Sequence, residues 1–164
     1  MKIYIRQLRE SDANISYIWR NNQRIWLHTG LKPDKIVTLE MEKEWVKDVL
    51  SRKDEKRFAI CIKKTDEYIG NAQLTNINVG KAEIHVFIGK MQYWGKGIGT
   101  QALKLVMDYG FNKLKLVQIY GYCHPDNKSS LKACEKNGLV FKKMLGNKLF
   151  LICNKNIYEK SIKS

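Results

Sequence analysis

At 164 residues, 44% hydrophobic and 28% charged, the chain has room for one core, so a two-domain enzyme is excluded and a single domain over 1–164 is expected. No stretch approaches the run of about 18 apolar residues that a membrane span needs, and Met1–Glu10 alternates and carries charge where a secretion signal needs an unbroken apolar run. A cytoplasmic protein with no membrane partner is expected. The net charge of +14 favours polyanions, but the basic residues are mostly lysine, spread from Lys2 to Lys163 without a dense block. That pattern reads as a solvated basic surface, and no nucleic-acid partner is expected.

In chain order, Ile3–Arg6 reads as a strand, and Ser11-Asp12 as a cap for a helix whose Ile15, Ile18 and Trp19 follow i, i+3, i+4 spacing. A loop holding Pro33 follows. Thr38 caps a second helix with Glu40 and Glu42 in its first turn and Met41, Trp45, Val49 and Leu50 on one face. The period then changes to that of strands: 57–63, 68–76 and 81–89, joined at Lys64-Thr65-Asp66-Glu67 and at Asn78-Val79-Gly80, form an antiparallel meander. Ile98, Ala102, Leu105, Val106 and Tyr109 mark a helix over 97–113, and 117–123 is a strand. This β-α-β order makes the strands 81–89 and 117–123 parallel. A short helix over 126–137 stops at Gly138, a hairpin of 139–145 with 149–153 turns at Gly146-Asn147-Lys148, and the tail beyond Tyr158 is expected to fray. The fold class is α/β with a mixed, mostly antiparallel sheet flanked by helices.

Cys61, Cys123, Cys134 and Cys153 contain no C-x-x-C, and His28, His85 and His124 do not join them at zinc-ligand spacing. No metal is expected. Reduced, buried thiols are the ordinary reading, preferred for three of the four.

The segment Tyr93-Trp94-Gly95-Lys96-Gly97-Ile98-Gly99-Thr100 places three glycines at alternate positions between a strand and a helix. Glycine lets backbone N–H groups crowd toward one point, and the helix start adds its positive dipole end, so the loop suits a phosphate. A Walker loop is excluded, because Lys96 is not followed by a hydroxyl residue. A dinucleotide fold is disfavoured, because the chain has one clear β-α-β unit and Cys123-His124 follows where an acid should bind ribose.

The run Trp94-Gly95-Lys96-Gly97-Ile98-Gly99 resembles the pyrophosphate motif [QR]-x-x-G-x-[GA] of the GNAT acetyltransferases, with Trp94 in place of Gln or Arg. Asn127-Lys128-Ser129-Ser130, followed by Cys134-Glu135-Lys136-Asn137-Gly138-Leu139, is similar to that family's N-x-x-S and E-K-x-G-F ending. The Tyr-Trp-Gly-Lys-Gly opening looks like the branch that acetylates ribosomal proteins and related amines. The resemblance covers nearly the whole chain. It implies the acyl-CoA N-acyltransferase fold, acetyl-CoA as co-substrate, and transfer of acetyl to a primary amine by direct attack. It implies cofactor contacts at Phe87, Ile88 and Gly89, from Trp94 to Thr100, and at Asn127 and Ser130.

Acetyl transfer needs the amine deprotonated, the oxyanion stabilised and the CoA thiolate released. Ala82, Ile84, Val86 and Ile88 share the core face of their strand, whereas Glu83, His85 and Phe87 share the other, with Glu83 and His85 roughly 7 Å apart along it. By the resemblance, Glu83 or His85 accepts the amine proton through water, and backbone N–H groups near Phe87, Ile88 and Gly89 hold the oxyanion. Cys134 stands where many members carry the tyrosine that protonates CoA. A thiol fits that role poorly, so departure of the thiolate into solvent is preferred. Asn127 and Ser130 can equally cap their helix. Cys123 and His124 are neighbours on a strand and point apart, which excludes a nucleophile pair.

Trp19, Arg20, Asn21 and Trp26 lie in the segment that, by the resemblance, contributes to the acceptor pocket. Aromatic faces suit sugars or bases and Arg forks suit phosphate. The Trp-Arg-Asn run is similar to enzymes that acetylate nucleotide-linked 4-amino sugars, and such a small-molecule amine is the expected acceptor. A ribosomal protein N-terminus, a polyamine, and a non-catalytic acetyl-CoA or RNA binding module are the alternatives. A homodimer is left open.

Overall fold

The computed structural model describes residues 1–27 and 33–163; residues 28–32, His28 included, lie outside the described residues. The elements are β1 (Ile3–Gln7), α1 (Ala13–Arg20), α2 (Gln23–Trp26), α3 (Leu39–Ser51), β2 (Lys56–Ile62), β3 (Tyr68–Asn78), β4 (Lys81–Ile88), α4 (Ile98–Asn112), β5 (Gln118–Cys123), α5 (Lys128–Lys136), β6 (Val140–Leu145), β7 (Lys148–Asn154) and α6 (Lys155–Lys163). Seven strands form one sheet in the order β1-β2-β3-β4-β5-β7-β6, antiparallel except for β4 beside β5. The α/β class, the meander and the parallel pair agree with the sequence reading.

Strand alternation separates two cores. Ile60, Ile69, Leu74, Ala82, Ile84, Ile119 and Leu151 face α4 and its Ile98, Ala102, Val106 and Met107. On the other face Leu8, Ala59, Cys61 and Tyr68 pack with Ala13 and Trp19 of α1 and Val46 of α3, and Phe87 of β4 joins them. Helices therefore cover both sides of the sheet, but α1 and α3 lie over its β1–β4 half.

Three expectations are corrected. In α1 the residues Ile15 and Ile18 are 37% and 57% exposed, and Ala13, Ser16 and Trp19 are buried. The helix is turned by two contacts that periodicity does not see: the Ser16 hydroxyl donates to Glu42 of α3 at 2.6 Å, and the Trp19 ring lies on Gly89. Asp12 holds the turn before α1 by accepting from the Arg9 N–H at 2.8 Å and pairing with Arg6 at 2.7 Å. In α3 the Thr38 cap is as expected, accepting from the Met41 N–H, but the buried stripe is Glu42, Val46 and Val49, with Trp45 and Leu50 half-buried. The tail beyond Tyr158 is helical as far as Lys163 in α6, anchored by buried Tyr158, whose hydroxyl donates to Asp108 of α4 at 2.5 Å.

A Cβ on Gly89 would stand 2.0 Å from the Trp19 ring. Gly89→Ala is expected to cost about 1–3 kcal/mol of stability through overpacking, seen as a lower urea midpoint at unchanged m value. An unchanged midpoint would show that the ring is not seated on this glycine.

Candidate active site

The site begins where β4 and β5 part. Their pairing runs from Lys81 beside Gln118 to Glu83 beside Tyr120 and stops, although β4 continues to Ile88 and β5 to Cys123. Beyond that point each strand keeps its outer partner: β4 stays registered with β3 as far as Ile88, and β5 with β7 as far as Cys123. The Gly89 N–H donates to the Ile69 carbonyl at 2.8 Å, so by antiparallel alternation the N–H groups of Phe87 and Gly89 face β3, and those of Val86 and Ile88 face the opening. Of the three backbone donors named from sequence, Ile88 is the one turned toward the gap. Its carbonyl already accepts from the Trp94 indole at 2.8 Å.

At the end of β4 the glycine loop leads into α4. Gly95 and Gly97 adopt φ of 73°, where other residues pay roughly 1–2 kcal/mol, and Gly97 is the N-cap of α4. Gly99 has no such backbone demand, and a Cβ there would meet nothing within 4 Å. The protein's own packing does not require a glycine at 99, so a close-approaching ligand fits this cradle. The first intrahelical bond runs from the Gln101 N–H to the Gly97 carbonyl, which leaves the N–H groups of Ile98, Gly99 and Thr100 for an anion. Ile98 buries its side chain in the core, and Lys96 stands over the Tyr93 ring at 5.6 Å. Glu67 in the β2–β3 turn steadies the loop by accepting from Lys90 and the Tyr93 hydroxyl. These two bonds hold its carboxyl below the ordinary value.

On the far side of the opening, the Asn127 side chain caps α5 by accepting from the Ser130 N–H at 3.1 Å. Burial pushes the Cys134 thiol up to about 12, aided by Cys123 and only partly offset by a hydrogen bond with Ser130. A thiol so weakly acidic is a poor proton donor to a departing thiolate.

Glu83 and His85 project from β4 on the face away from α4. Glu83 Oε1 is 2.9 Å from His85 Nε2, and Glu83 Oε2 accepts from Asn76 Nδ2 at 2.9 Å. The hydrogen bond from His85 is the main reason the Glu83 carboxyl lies below its ordinary value. It is a carboxylate at neutral pH.

Comparison with known proteins gives the family. Residues 2–140 match the family model of the acetyltransferase (GNAT) domain. The chain belongs to the GNAT acetyltransferase family. It is 31% identical over 144 residues to the probable N-acetyltransferase YjcK of Bacillus subtilis, covering 83% of this chain and 79% of that protein. It is 28% identical over 145 residues to the uncharacterized N-acetyltransferase p20 of Bacillus licheniformis, covering 87% and 80%. In fold it is similar to the spermidine N-acetyltransferase of Vibrio cholerae solved with CoA and spermine, with a TM-score of 0.85, 21% identity, and 96% and 98% coverage of the two chains. The chain is an acetyl-CoA-dependent N-acetyltransferase with acetyl-CoA as co-substrate. Among the described residues no group of His, Cys, Asp and Glu could hold a metal, and no helix is long and apolar enough to cross a membrane.

The four residues named for the acetyltransferase's acceptor side divide in two. Trp19 is core, 5% exposed, with its ring on Tyr68 at 4.7 Å. Arg20, Asn21 and Trp26 come together on a pocket of about 280 Å³, which Gln23, Pro33, Asp34, Lys35 and Ile36 complete. Each also holds the fold. Arg20 pairs with buried Glu42 at 3.2 Å and stacks on Trp45 at 4.5 Å, Asn21 binds both backbone groups of Val37, and the Trp26 indole donates to the Trp19 carbonyl. Phe87 links this pocket to β4, since its ring lies 5.3 Å from Trp26 and it follows His85 by two residues on one face.

Sequence reasoning missed Asn76, Tyr120, Tyr122 and Phe150. The signal lay in the alternation of Gln118, Tyr120 and Tyr122 and of Lys148, Phe150 and Ile152, once parallel pairing set Tyr120 beside Glu83. Gly99→Ala is expected to leave the melting temperature unchanged or higher, as helix propensity favours Ala. It should raise KM for acetyl-CoA about tenfold, a loss of roughly 1.4 kcal/mol; an unchanged KM would remove Gly99 from the anion cradle.

Proposed function

We propose that this acetyltransferase moves the acetyl group to the primary amine of a nucleotide-linked amino sugar by direct attack, and that the hydrogen-bonded Glu83–His85 pair at the parting of β4 and β5 carries the reaction. The amine nitrogen adds to the thioester carbonyl, forming the N–C bond and placing the C=O electron pair on oxygen, and collapse of this oxyanion re-forms C=O and breaks the C–S bond. The amine gives up its proton to the protein, and the thiolate leaves with the electron pair. No acyl-enzyme is needed, because burial holds the Cys123 and Cys134 thiols above their ordinary values and so keeps them protonated.

Both Glu83 oxygens are engaged, by His85 and by Asn76. With Nε2 bonded to Glu83, Nδ1 is the ring nitrogen left to accept, and His85 is the more exposed of the two, at 40% against 15% of the side chain. His85 Nδ1 accepts the amine proton, through water or directly, and Glu83 positions the ring. The Ile88 N–H, directed into the gap, is the oxyanion donor. The main-chain amides from Ile98 to Thr100 hold the CoA pyrophosphate.

Charge supports an anionic acceptor. The chain carries +14, the acceptor-side pocket sets Arg20 and Lys35 beside Asp34, and buried Glu42 is already bonded to Ser16 and paired with Arg20. Spermine is held by the Vibrio cholerae protein, but at 21% identity that likeness speaks for the fold. Here a polycation would meet like charge.

His85→Ala is expected to lower kcat/KM by about a hundredfold or more, as loss of a general base does, and Glu83→Gln by less; two unchanged values would overturn the assignment. Cys134→Ala should change turnover by less than about threefold, under roughly 1 kcal/mol in the barrier; a larger loss would make the thiol an acid. The depressed Glu83 carboxyl stabilises the fold above the ordinary carboxylate range, near pH 4.3, and that gain is lost as pH falls through the depressed value. The wild type should therefore exceed Glu83→Gln in unfolding free energy at neutral pH and converge with it in strong acid. A gap that persists unchanged into acid would separate the stabilisation from the Glu83 charge.

A further inference from the structure

East of Glu83 the sheet carries a feature that the transfer chemistry does not use. Tyr120 and Tyr122 of β5 and Phe150 of β7 stand side by side on the face that holds Glu83 and His85, with ring centroids 5.2 Å apart for Tyr122 and Phe150, 5.8 Å for Tyr120 and Phe150, and 6.2 Å for the two tyrosines. The helices α1 and α3 pack over the other half of the sheet, and Tyr122 remains 42% exposed. Burial raises both phenols above their ordinary value, and the Glu83 charge adds to it, so the carboxylate is felt at both rings.

Cations border these rings. Tyr122 is registered with Phe150, and Phe150 with Lys143 of β6, in one row across three strands. Lys148 precedes Phe150 by two residues on the same face and lies close enough to Glu83 to help lower its carboxyl. Lys81 shares the alternation of Glu83 on β4. Three rings with Lys143, Lys148 and Lys81 about them, against the carboxylate of Glu83, suit the stacking of a flat ligand that carries negative charge.

We infer that Tyr122 and Phe150 form a stacking surface for the base of a nucleoside-diphosphate-linked acceptor, that Tyr120 lies under its sugar, and that Lys143 and Lys148 pair with its phosphates. This rests on the nucleotide-linked reading above and locates the part of the ligand remote from the reacting amine. The same arrangement gives the positively charged surface a role in selecting acceptors, since an amine without the nucleotide loses both stacking and pairing.

The probe is UDP, titrated calorimetrically into CoA-saturated protein so that the glycine loop is filled and a diphosphate cannot bind there. Binding is expected for the wild type and for Tyr122→Phe, weakened at least tenfold by Tyr122→Ala or Phe150→Ala and also by Lys143→Glu, with CoA affinity unchanged in every variant. These side chains are surface-exposed or half-buried, and matching melting temperatures would confirm folding. Failure of UDP to bind the CoA-saturated wild type, or equal binding by the alanine variants, overturns the shelf. Acetylation of a UDP-linked 4-amino hexose, followed by mass, separates the two readings. Transfer at unchanged KM in the alanine variants keeps the acceptor and rejects the shelf. UDP binding that is lost in the variants, with no amine acetylated, keeps the shelf and rejects the transfer assignment.

Discussion

Everything at the site depends on the parting of two parallel strands after a short shared ladder. Each strand is committed elsewhere. Gly70 lets the Phe87 carbonyl come so close that a Cβ there would be 2.3 Å from it, and Gly89 takes the Trp19 ring, so β4 is pressed toward β3 and α1. On the other side β5 is registered with β7 from Gln118 to Cys123. The sheet consequently divides into a four-stranded and a three-stranded part joined at Glu83 and Tyr120. Beneath them, α4 and its apolar side chains form a common floor with buried residues from both parts, among them Leu74 and Ile119. The opening leaves main-chain groups of β4 without a strand partner in the sheet, where an unpaired buried amide would be costly. A ligand that supplied hydrogen bonds at that place would offset the cost, which is what makes the incomplete part of the sheet the candidate site.

The same economy governs charge. Glu42 is 1% exposed and is bonded to Ser16 and paired with Arg20, which itself lies over Trp45 and Trp26. Arg57 also stands over Trp45, pairs with Glu55 and donates to Gln73, the β3 residue registered with His85. Charged and polar groups thus continue from the helices across β2 and β3 to the imidazole, and each is held by a neighbour. Glu83 differs because its partners are His85 and Asn76, neither of which is a permanent cation. A carboxylate held by these two hydrogen bonds, with the charge of Lys148 also acting on it, orients the ring.

Most of the architecture was legible because it follows from period and punctuation. The meander, the glycine loop, the Thr38 and Asn127 caps and the single β-α-β unit are local signals, and the parallel placement of β5 follows from chain order. The errors arose where a long-range contact overrode period. Ile15 and Ile18 obeyed helical spacing, yet a hydrogen bond to Glu42 and the fit of one indole on Gly89 determined which side of α1 is buried. The tail lacked apolar weight, but Tyr158 anchors it to α4. Tyr120, Tyr122 and Phe150 stayed hidden because a half-exposed aromatic strand looks like any other until its registration with β4 and β6 is known. Trp19 was drawn toward the acceptor by its neighbours Arg20 and Asn21, although a helix turns about 100° per residue and separates adjacent side chains.

Trp94 shows how a departure from the family pattern can be accommodated. Gln or Arg at this position would add an amide or a charge to the loop; the indole brings one N–H and a large apolar face. That N–H reaches the Ile88 carbonyl, one of the main-chain groups that the parting of β4 and β5 strands in the opening. The ring remains 43% exposed, so its area is not what holds it there. What the tryptophan contributes is a tether from the glycine loop back to β4, formed by a donor that carries no charge. With Glu67 gripping the loop through Lys90 and Tyr93 on its other side, the loop that leads to the amides from Ile98 to Thr100 is held by protein contacts of its own.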